Sequence, residues 1–341
     1  MDNTILVCGA GHQGITMASH LALNGLSVNL WNRTEKNIAQ IIATRKVHCK
    51  GVVDGTAELN CVSSKMEEVI TNVVMITTPS IAHKDIAKEI APFVNRDMVI
   101  VLNPGRTFGA LEFKNSLLEC GVKELPHIAE TQTIIYTCRK EQVDCSVIYA
   151  LKDDVKIASI KNDDIDYILE RIPECIRGHF VPVESHYLTS LSNVGMVLHC
   201  APVLMNIGWI ETEKVDFKYY YDGISPSVAR FLEKIDAERI NIANALGYSI
   251  ESTSDWLRRT YNVSGDNLYE CIHNNRSYDE IDAPPTINCR YILEDIPCGL
   301  VPIEDIGRKL NIPTPTISLV IDLASSVFDV DFRLNGRKFS I

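Results

Sequence analysis

Along the N-terminal stretch two kinds of hydrophobic pattern follow one another. Thr4-Ile-Leu-Val-Cys8 is a short unbroken apolar run, as expected of a strand buried on both faces. Gly9 to Gly14 interrupts it. From Gln13 the apolar positions Ile15, Ala18, Leu21 and Ala22 recur at helical spacing, and Asn24-Gly25 supplies a C-cap. Leu26-Ser-Val-Asn-Leu-Trp31 then reads as a second strand. Further strand candidates stand at residues 73–77, 98–102 and 124–125, each preceded by helix-like or polar sequence. Strands separated by helices predict a parallel, doubly wound sheet. Residues 145–150 and 155–159 read as two short strands around Lys152-Asp-Asp154, whose composition suits a hairpin turn, so an antiparallel extension is expected there.

After Phe180-Val-Pro-Val183 the pattern changes to long helical periodicities with little alternation. The boundary is expected near residue 184, giving domains 1–184 and 185–341. Residues 227–247 form the clearest helix candidate, with Ser227 at its start, apolar positions at Phe231, Leu232, Ile235, Ile242 and Leu246, and Gly247 at its end. Asp282-Ala-Pro-Pro285 and residues 311–315 break the helical half. The fold class is therefore α/β: a doubly wound parallel sheet followed by an all-helical C-terminal domain.

Composition narrows the function. At 341 residues the chain has room for two domains, and 46% hydrophobic with 23% charged residues is the balance of a globular protein. The apolar stretches look shorter than the roughly 18 residues of a membrane span, and the N-terminus does not resemble a signal peptide, so a cytoplasmic location is expected. A net charge of −11 disfavours sequence-independent binding to nucleic acid or an anionic membrane. Eleven cysteines without a C-x-x-C spacing read as free thiols in a reducing compartment, with no metal site expected.

The candidate chemistry begins at Gly9-Ala10-Gly11-His12-Gln13-Gly14. Three glycines at this spacing occur by chance in many loops, but here they follow a strand and open a helix, as the dinucleotide fingerprint requires. Gly9 permits the tight turn, Gly11 lets backbone approach the pyrophosphate, and Gly14 lets helix and strand pack closely. The helix N-terminus offers its N–H groups to phosphate. At the end of the second strand an NAD site usually carries an acidic residue, whereas this chain has Asn32-Arg33-Thr34. Without a carboxylate there, and with Arg33 able to pair with a 2′-phosphate, NADP is favoured. The alternative is NAD, with Arg33 a solvated loop charge.

Further motifs follow in order: Thr78-Pro79, Asn103-Pro104-Gly105, Glu130-Thr131 with Tyr136 and Arg139, Leu198-His-Cys-Ala-Pro-Val-Leu-Met-Asn206, Ile235-Asp-Ala-Glu-Arg239, and Glu294-Asp-Ile-Pro-Cys-Gly-Leu300. Singly modest, together with the glycine turn they resemble the octopine and other opine dehydrogenases, a branch of the 6-phosphogluconate dehydrogenase-like reductases. The resemblance spans most of the chain. It implies a Rossmann domain that binds NAD(P), a helical domain, and an active site in the cleft between them. It also implies a reaction in which an amino acid condenses with a 2-oxo acid and NAD(P)H reduces the imine. In such enzymes a histidine matching His199 acts as acid and base and an aspartate matching Asp295 holds it, while Thr78 and Pro79 fall among the cofactor contacts.

Imidazole titrates near neutrality and can give and take a proton, and a carboxylate on its far nitrogen fixes the tautomer. A lone histidine in an apolar run is, on pattern alone, more often a hydrogen-bonded core residue. For the two substrate carboxylates, Arg106 and Arg139 are candidate partners, each equally readable as a surface cation; Thr131 is a candidate hydrogen-bonding group or a local backbone cap. The family pattern often has a neutral polar residue near Arg106, so the arginine marks a departure that bears on substrate preference. Asp236, Glu238 and Arg239 read first as structural pairs.

Two other functions remain open. One is a reductase of the ketopantoate or glycerol-3-phosphate type, which relies on a catalytic lysine; Lys214, Lys218 and Lys234 are available, none in a recognised context. The other is a non-catalytic NADP-binding sensor. The expected partners are small-molecule substrates, an amino acid and a 2-oxo acid, and the oligomeric state is open, a homodimer included.

Overall fold

The computed structural model describes residues 4–212 and 216–338. The chain forms two compact units, one up to Ser190 and one from Leu191. In the N-terminal unit the strands are β1 (Ile5–Cys8), β2 (Val28–Trp31), β3 (Lys46–Gly51), β4 (Gly55–Glu58), β5 (Cys61–Ser63), β6 (Val73–Ile76), β7 (Val99–Leu102), β8 (His127–Thr131), β9 (Tyr136–Gln142), β10 (Cys145–Leu151), β11 (Val155–Ser159) and β12 (Phe180–Pro182). Eight of them make one sheet in the order β12-β11-β8-β7-β6-β1-β2-β5. All its pairs are parallel except β8 with β11.

The sheet is covered on both faces, which is why β1, β6 and β7 read as continuous apolar runs rather than alternating ones. The order of strands reverses around β1, with β2 on one side and β6 on the other. In open α/β sheets ligands bind at the carboxyl ends of the strands at such a reversal, and the glycine turn leaves β1 there.

Several expectations need correction. Residues 124–125 are not a strand; β8 begins at His127, because Pro126 has no N–H to give to the ladder. Residues 152–154 do not close a hairpin. β10 pairs with β3 and β9 in a separate four-stranded sheet, order β4-β3-β10-β9, while β11 pairs with β8 and β12 in the main one. With both edges of each strand already occupied, the turn, which carries Asp154 at φ 59°, hands the chain from one sheet to the other. The two compact units part between Ser190 and Leu191, a few residues past the expected 184. Glu130, fully buried on β8, accepts a hydrogen bond from Thr189 Oγ1 at 2.8 Å and another from Ser190 Oγ, which ties the last turn of the helix His186–Leu191 to the main sheet.

Residues His186–Met205 reach the length and apolar character of a membrane-crossing helix, contrary to the sequence expectation. Their 83% burial inside the protein is that of core helices, and the helical run is broken between Leu191 and Gly195.

The described C-terminal unit is helical, with one isolated bridge between Lys218 and Asp282. Its longest helix spans Pro226–Ala245 and starts earlier than expected. Ser225, not Ser227, is the N-cap, accepting from the Val228 N–H, and Pro226 occupies the first helical position, where a missing N–H costs nothing. Leu232, Ile235 and Ile242 are fully buried along one face. The polar residues on this helix are equally internal. Arg239, with no exposed surface, donates to Asp236 Oδ1 from Nε at 2.9 Å and to the Glu251 carbonyl at 2.7 Å; Asp236 in turn accepts from the Thr253 N–H. Glu238 caps the helix Pro315–Phe328 by accepting from the N–H groups of Thr316 and Ile317. The Asp236–Arg239 motif is scaffold.

Candidate active site

In the N-terminal unit the fingerprint turn has the geometry its glycines predict. Gly9 sits at φ +108°, and a Cβ on Gly14 would lie 1.7 Å from the Gly9 carbonyl oxygen, so only glycine lets the helix His12–Leu23 approach β1 so closely. Space over Gly11 is open for 4 Å. Gly11 caps the helix with no side-chain acceptor, and no acidic residue stands in the first turn. Asn32 serves the turn directly: its Oδ1 accepts from the Ala10 N–H at 3.1 Å and its Nδ2 donates to the Thr34 carbonyl at 2.9 Å. Thr77 Oγ1 pins the same turn by donating to the Cys8 carbonyl at 2.8 Å. Thr78 Oγ1 is buried with no protein partner, as a ligand-facing hydroxyl would be.

Two cavities adjoin there. One, of about 420 Å³, is lined by Gly9, Ala10, Gly11, Lys36, Thr78 and Lys140 among others; the second, of about 400 Å³, includes Trp31, Arg33, Thr34, Pro79, Asp85 and Ile86. Asn32, Asn37, Thr78 and Pro79 belong to both. An uncapped helix N-terminus, open space at Gly11 and an orphaned hydroxyl suit the pyrophosphate of a dinucleotide, and the second cavity, where Trp31, Pro79 and Ile86 lie among polar side chains, suits its adenosine.

Lys140 is a residue the sequence reading passed over. On β9 the side chains alternate, so Tyr136, Cys138 and Lys140 point inward while Arg139 is exposed on the opposite face. Lys140 Nζ donates to the Ala10 carbonyl at 3.0 Å and its N–H donates to His12 Nδ1 at 2.8 Å, and burial lowers the ammonium pKa. The second sheet thus delivers a cation to the phosphate turn. The signal was the alternation of Tyr136-Thr-Cys-Arg-Lys-Glu-Gln142, which favours Lys140 over Arg139. Gln13 lies beside the same strand, within 3.4 Å of Cys138 Sγ.

The other candidates separate. Arg33 pairs with Asp85 at 3.5 Å, both well exposed. Thr131 is fully buried and its hydroxyl donates to the Leu102 carbonyl at 3.3 Å, the local-backbone role rather than the substrate one. Arg106, at φ 59° in the loop after β7, lies near Lys152, whose ammonium is lowered first by burial and further by the Arg106 charge. Tyr136 is internal and pairs with His20 Nδ1 at 3.1 Å.

In the C-terminal unit the structure joins residues ninety-six positions apart: His199 Nδ1 donates to Asp295 Oδ2 at 2.8 Å. The aspartate is 1% exposed. With the carboxylate holding Nδ1–H, Nε2 is left as the proton-exchanging atom, and the Tyr220 hydroxyl stands 3.2 Å from it. Tyr291 stacks on the imidazole at 4.0 Å and 17°.

Local sequence explains the placement. His199 lies on the helix Gly195–Met205, which contains Pro202; proline gives no N–H to the Leu198 carbonyl one turn earlier. Tyr219 Oη compensates, donating to the His199 carbonyl at 2.6 Å with Leu198 O at 3.4 Å. Asp295 precedes a π-helical turn, Ile296–Leu300, in which the Leu300 N–H donates to the Asp295 carbonyl at 3.1 Å. A Cβ at Gly299 would lie 2.8 Å from Met196 Cβ, so the Pro-Cys-Gly of that motif lets the turn carrying Asp295 press against the helix carrying His199. Arg290, one turn before Asp295, pairs with Glu294 at 3.2 Å, and its charge reaches Tyr220. Of the lysines considered for carbonyl reduction, Lys218 pairs with Asp282 at 2.8 Å, Lys234 is exposed and Lys214 lies outside the described residues.

Comparison with known proteins agrees with this division. The family model for the α-helical domain of NAD/NADP octopine/nopaline dehydrogenases matches residues 182–328, and that for ketopantoate reductases matches residues 5–105. An opine dehydrogenase of Arthrobacter sp. (strain 1C) is 37% identical over 339 residues, covering 98% of this chain and 94% of that protein. The chain belongs to the opine dehydrogenase family. It is accordingly an NAD(P)-dependent dehydrogenase acting on a CH–NH bond. The family fold is shared by octopine dehydrogenase solved with NADH and L-arginine, at TM-score 0.79 and 18% identity over 98% of this chain and 92% of that one. Yersinopine dehydrogenase solved with NADP+ matches at TM-score 0.78 and 14% identity, covering 96% and 92%. The ketopantoate reductase family model matches only residues 5–105, which accounts for the sequence likeness around the glycine turn.

Proposed function

We propose that this family member joins the amino group of an amino acid to the carbonyl carbon of a 2-oxo acid and reduces the resulting imine, with His199 as the acid and base. The observation that carries the reading is the buried Asp295–His199 hydrogen bond beside an exchangeable Nε2. The bound nicotinamide cofactor supplies the hydride that reduces the imine carbon. Condensation asks two things of one base: it must take a proton from the substrate ammonium to free the nucleophilic lone pair, then return one to the carbinolamine oxygen so that water leaves. Imidazole suits both tasks near neutrality, and Asp295 stabilises the imidazolium between them.

For the cofactor we propose Gly9 to Gly14 and Lys140 at the pyrophosphate, with Thr78, Pro79 and Asn32 to Thr34 toward the adenosine. The absence of an acid at the end of β2 and the positions of Arg33 and Lys36 support NADP, while Asp85 beside Arg33 weakens the case without removing it. Arg33→Ala should then weaken NADPH more than NADH in a fluorescence titration; equal losses would remove the case for NADP. For substrate carboxylates we favour Arg290, because it flanks the His199 pair, with Arg106 and its neighbour Lys152 as the second cationic locus. Eleven free cysteines support a reducing, cytoplasmic setting.

The direct test is His199→Ala together with Asp295→Asn. Each is expected to lower turnover by roughly 10²- to 10⁴-fold with cofactor affinity little changed. Near-normal turnover in His199→Ala would end the assignment.

A further inference from the structure

We propose that Tyr220 is a second catalytic group, its hydroxyl relaying the proton from His199 Nε2 to the substrate oxygen that leaves as water. The inference rests on the condensation reading above. Since Asp295 occupies Nδ1, every proton that His199 exchanges passes through Nε2, and Tyr220 Oη is already 3.2 Å from that atom. A substrate atom would therefore displace the hydroxyl or act through it.

Displacement is opposed by packing. The Tyr220 ring stacks on Tyr278 at 4.0 Å and 15°, meets the edge of Tyr219 at 5.0 Å, and is 5% exposed. Tyr278 is itself buried and backed by Tyr261. The tyrosine whose hydroxyl reaches Nε2 is thus clamped within a packed tyrosine cluster, while Tyr291 covers a face of the imidazole. Burial also holds the Tyr220 phenol well above its ordinary pKa, so it remains protonated and serves as a conduit rather than as a base.

The step balances. The imidazolium proton passes from Nε2 to Tyr220 Oη as the phenolic proton passes to the carbinolamine hydroxyl. The C–O bond breaks with its electron pair on oxygen, which leaves as water. The nitrogen lone pair forms the C=N bond, giving the iminium. His199 ends neutral and Tyr220 unchanged.

The test is a proton inventory, the dependence of kcat on the D2O fraction, at saturating amino acid, 2-oxo acid and NADPH, in the wild type and in Tyr220→Phe, which keeps the aromatic stack. Two protons in flight predict a bowed wild-type plot, and in Tyr220→Phe a straight one with kcat lower by roughly 10- to 100-fold. NADPH affinity should be unchanged, which also reports that the variant is folded. A straight wild-type plot overturns the relay whether or not the variant folds, and so does a variant with wild-type kcat and curvature. Loss of all amine-dependent turnover in the wild type would instead sink the condensation reading on which it rests.

Discussion

A methyl group added to Gly14 would overlap the Gly9 carbonyl oxygen at 1.7 Å, a clash with backbone that no rotamer relieves. Gly14→Ala is therefore expected to abolish NADPH binding and lower the thermal midpoint, measured by titration and calorimetry on the same preparation. Gly299→Ala meets Met196 Cβ at 2.8 Å and should cost about 1–3 kcal/mol in a denaturant titration while prying Asp295 from His199. These glycines were legible because a strand–turn–helix context and a family motif each demand a missing side chain. The His199–Asp295 pair was legible only through the resemblance, since no periodicity links positions so far apart. Tyr219 and Tyr220 gave no such signal: their roles depend on backbone carbonyls of the helix around Pro202 and on the far nitrogen of a histidine, both visible only once the chain is folded.

Among the elements, the helix Pro226–Ala245 carries the sharpest stability prediction. Arg239 and Asp236 are both buried and mutually bonded, so removing one charge strands the other in a low-dielectric interior. Arg239→Met is expected to destabilise the protein by about 3–5 kcal/mol, whereas substituting exposed Lys234 should leave the urea midpoint unchanged. The main sheet could be read from the sequence because strands buried on both faces are unbroken apolar runs. The four-stranded sheet could not. Its strands are short and mostly polar on one face, and β10 and β11 adjoin in sequence yet belong to different sheets, a long-range pairing that local turn composition cannot report. Its functional consequence, Lys140 at the phosphate turn, follows from that pairing, with only the alternation along β9 to point to it.

For the whole molecule, stability should depend on pH through His186. Burial, and after it the charge of Lys114, lower its pKa from 6.5 to about 4. Between those values the unfolded chain binds the proton and the folded one does not, so this contribution is complete above pH 6.5 and is lost as pH falls toward 4. Urea midpoints at pH 7.5 and 5 should differ by less in His186→Gln than in the wild type; equal differences would contradict this. At the same scale the functional account assigns cofactor binding to the N-terminal unit and proton handling to the C-terminal one, and its central claim is that hydride transfer waits for an amine. The decisive measurement is NADPH oxidation with a 2-oxo acid across a panel of amino acids, followed by nicotinamide absorbance and product mass. The account predicts no oxidation without the amine and, with it, a product equal to the sum of the two acids minus water plus two hydrogens. Oxidation without amine, yielding a hydroxy acid, or cofactor binding with no turnover across the panel, would contradict it.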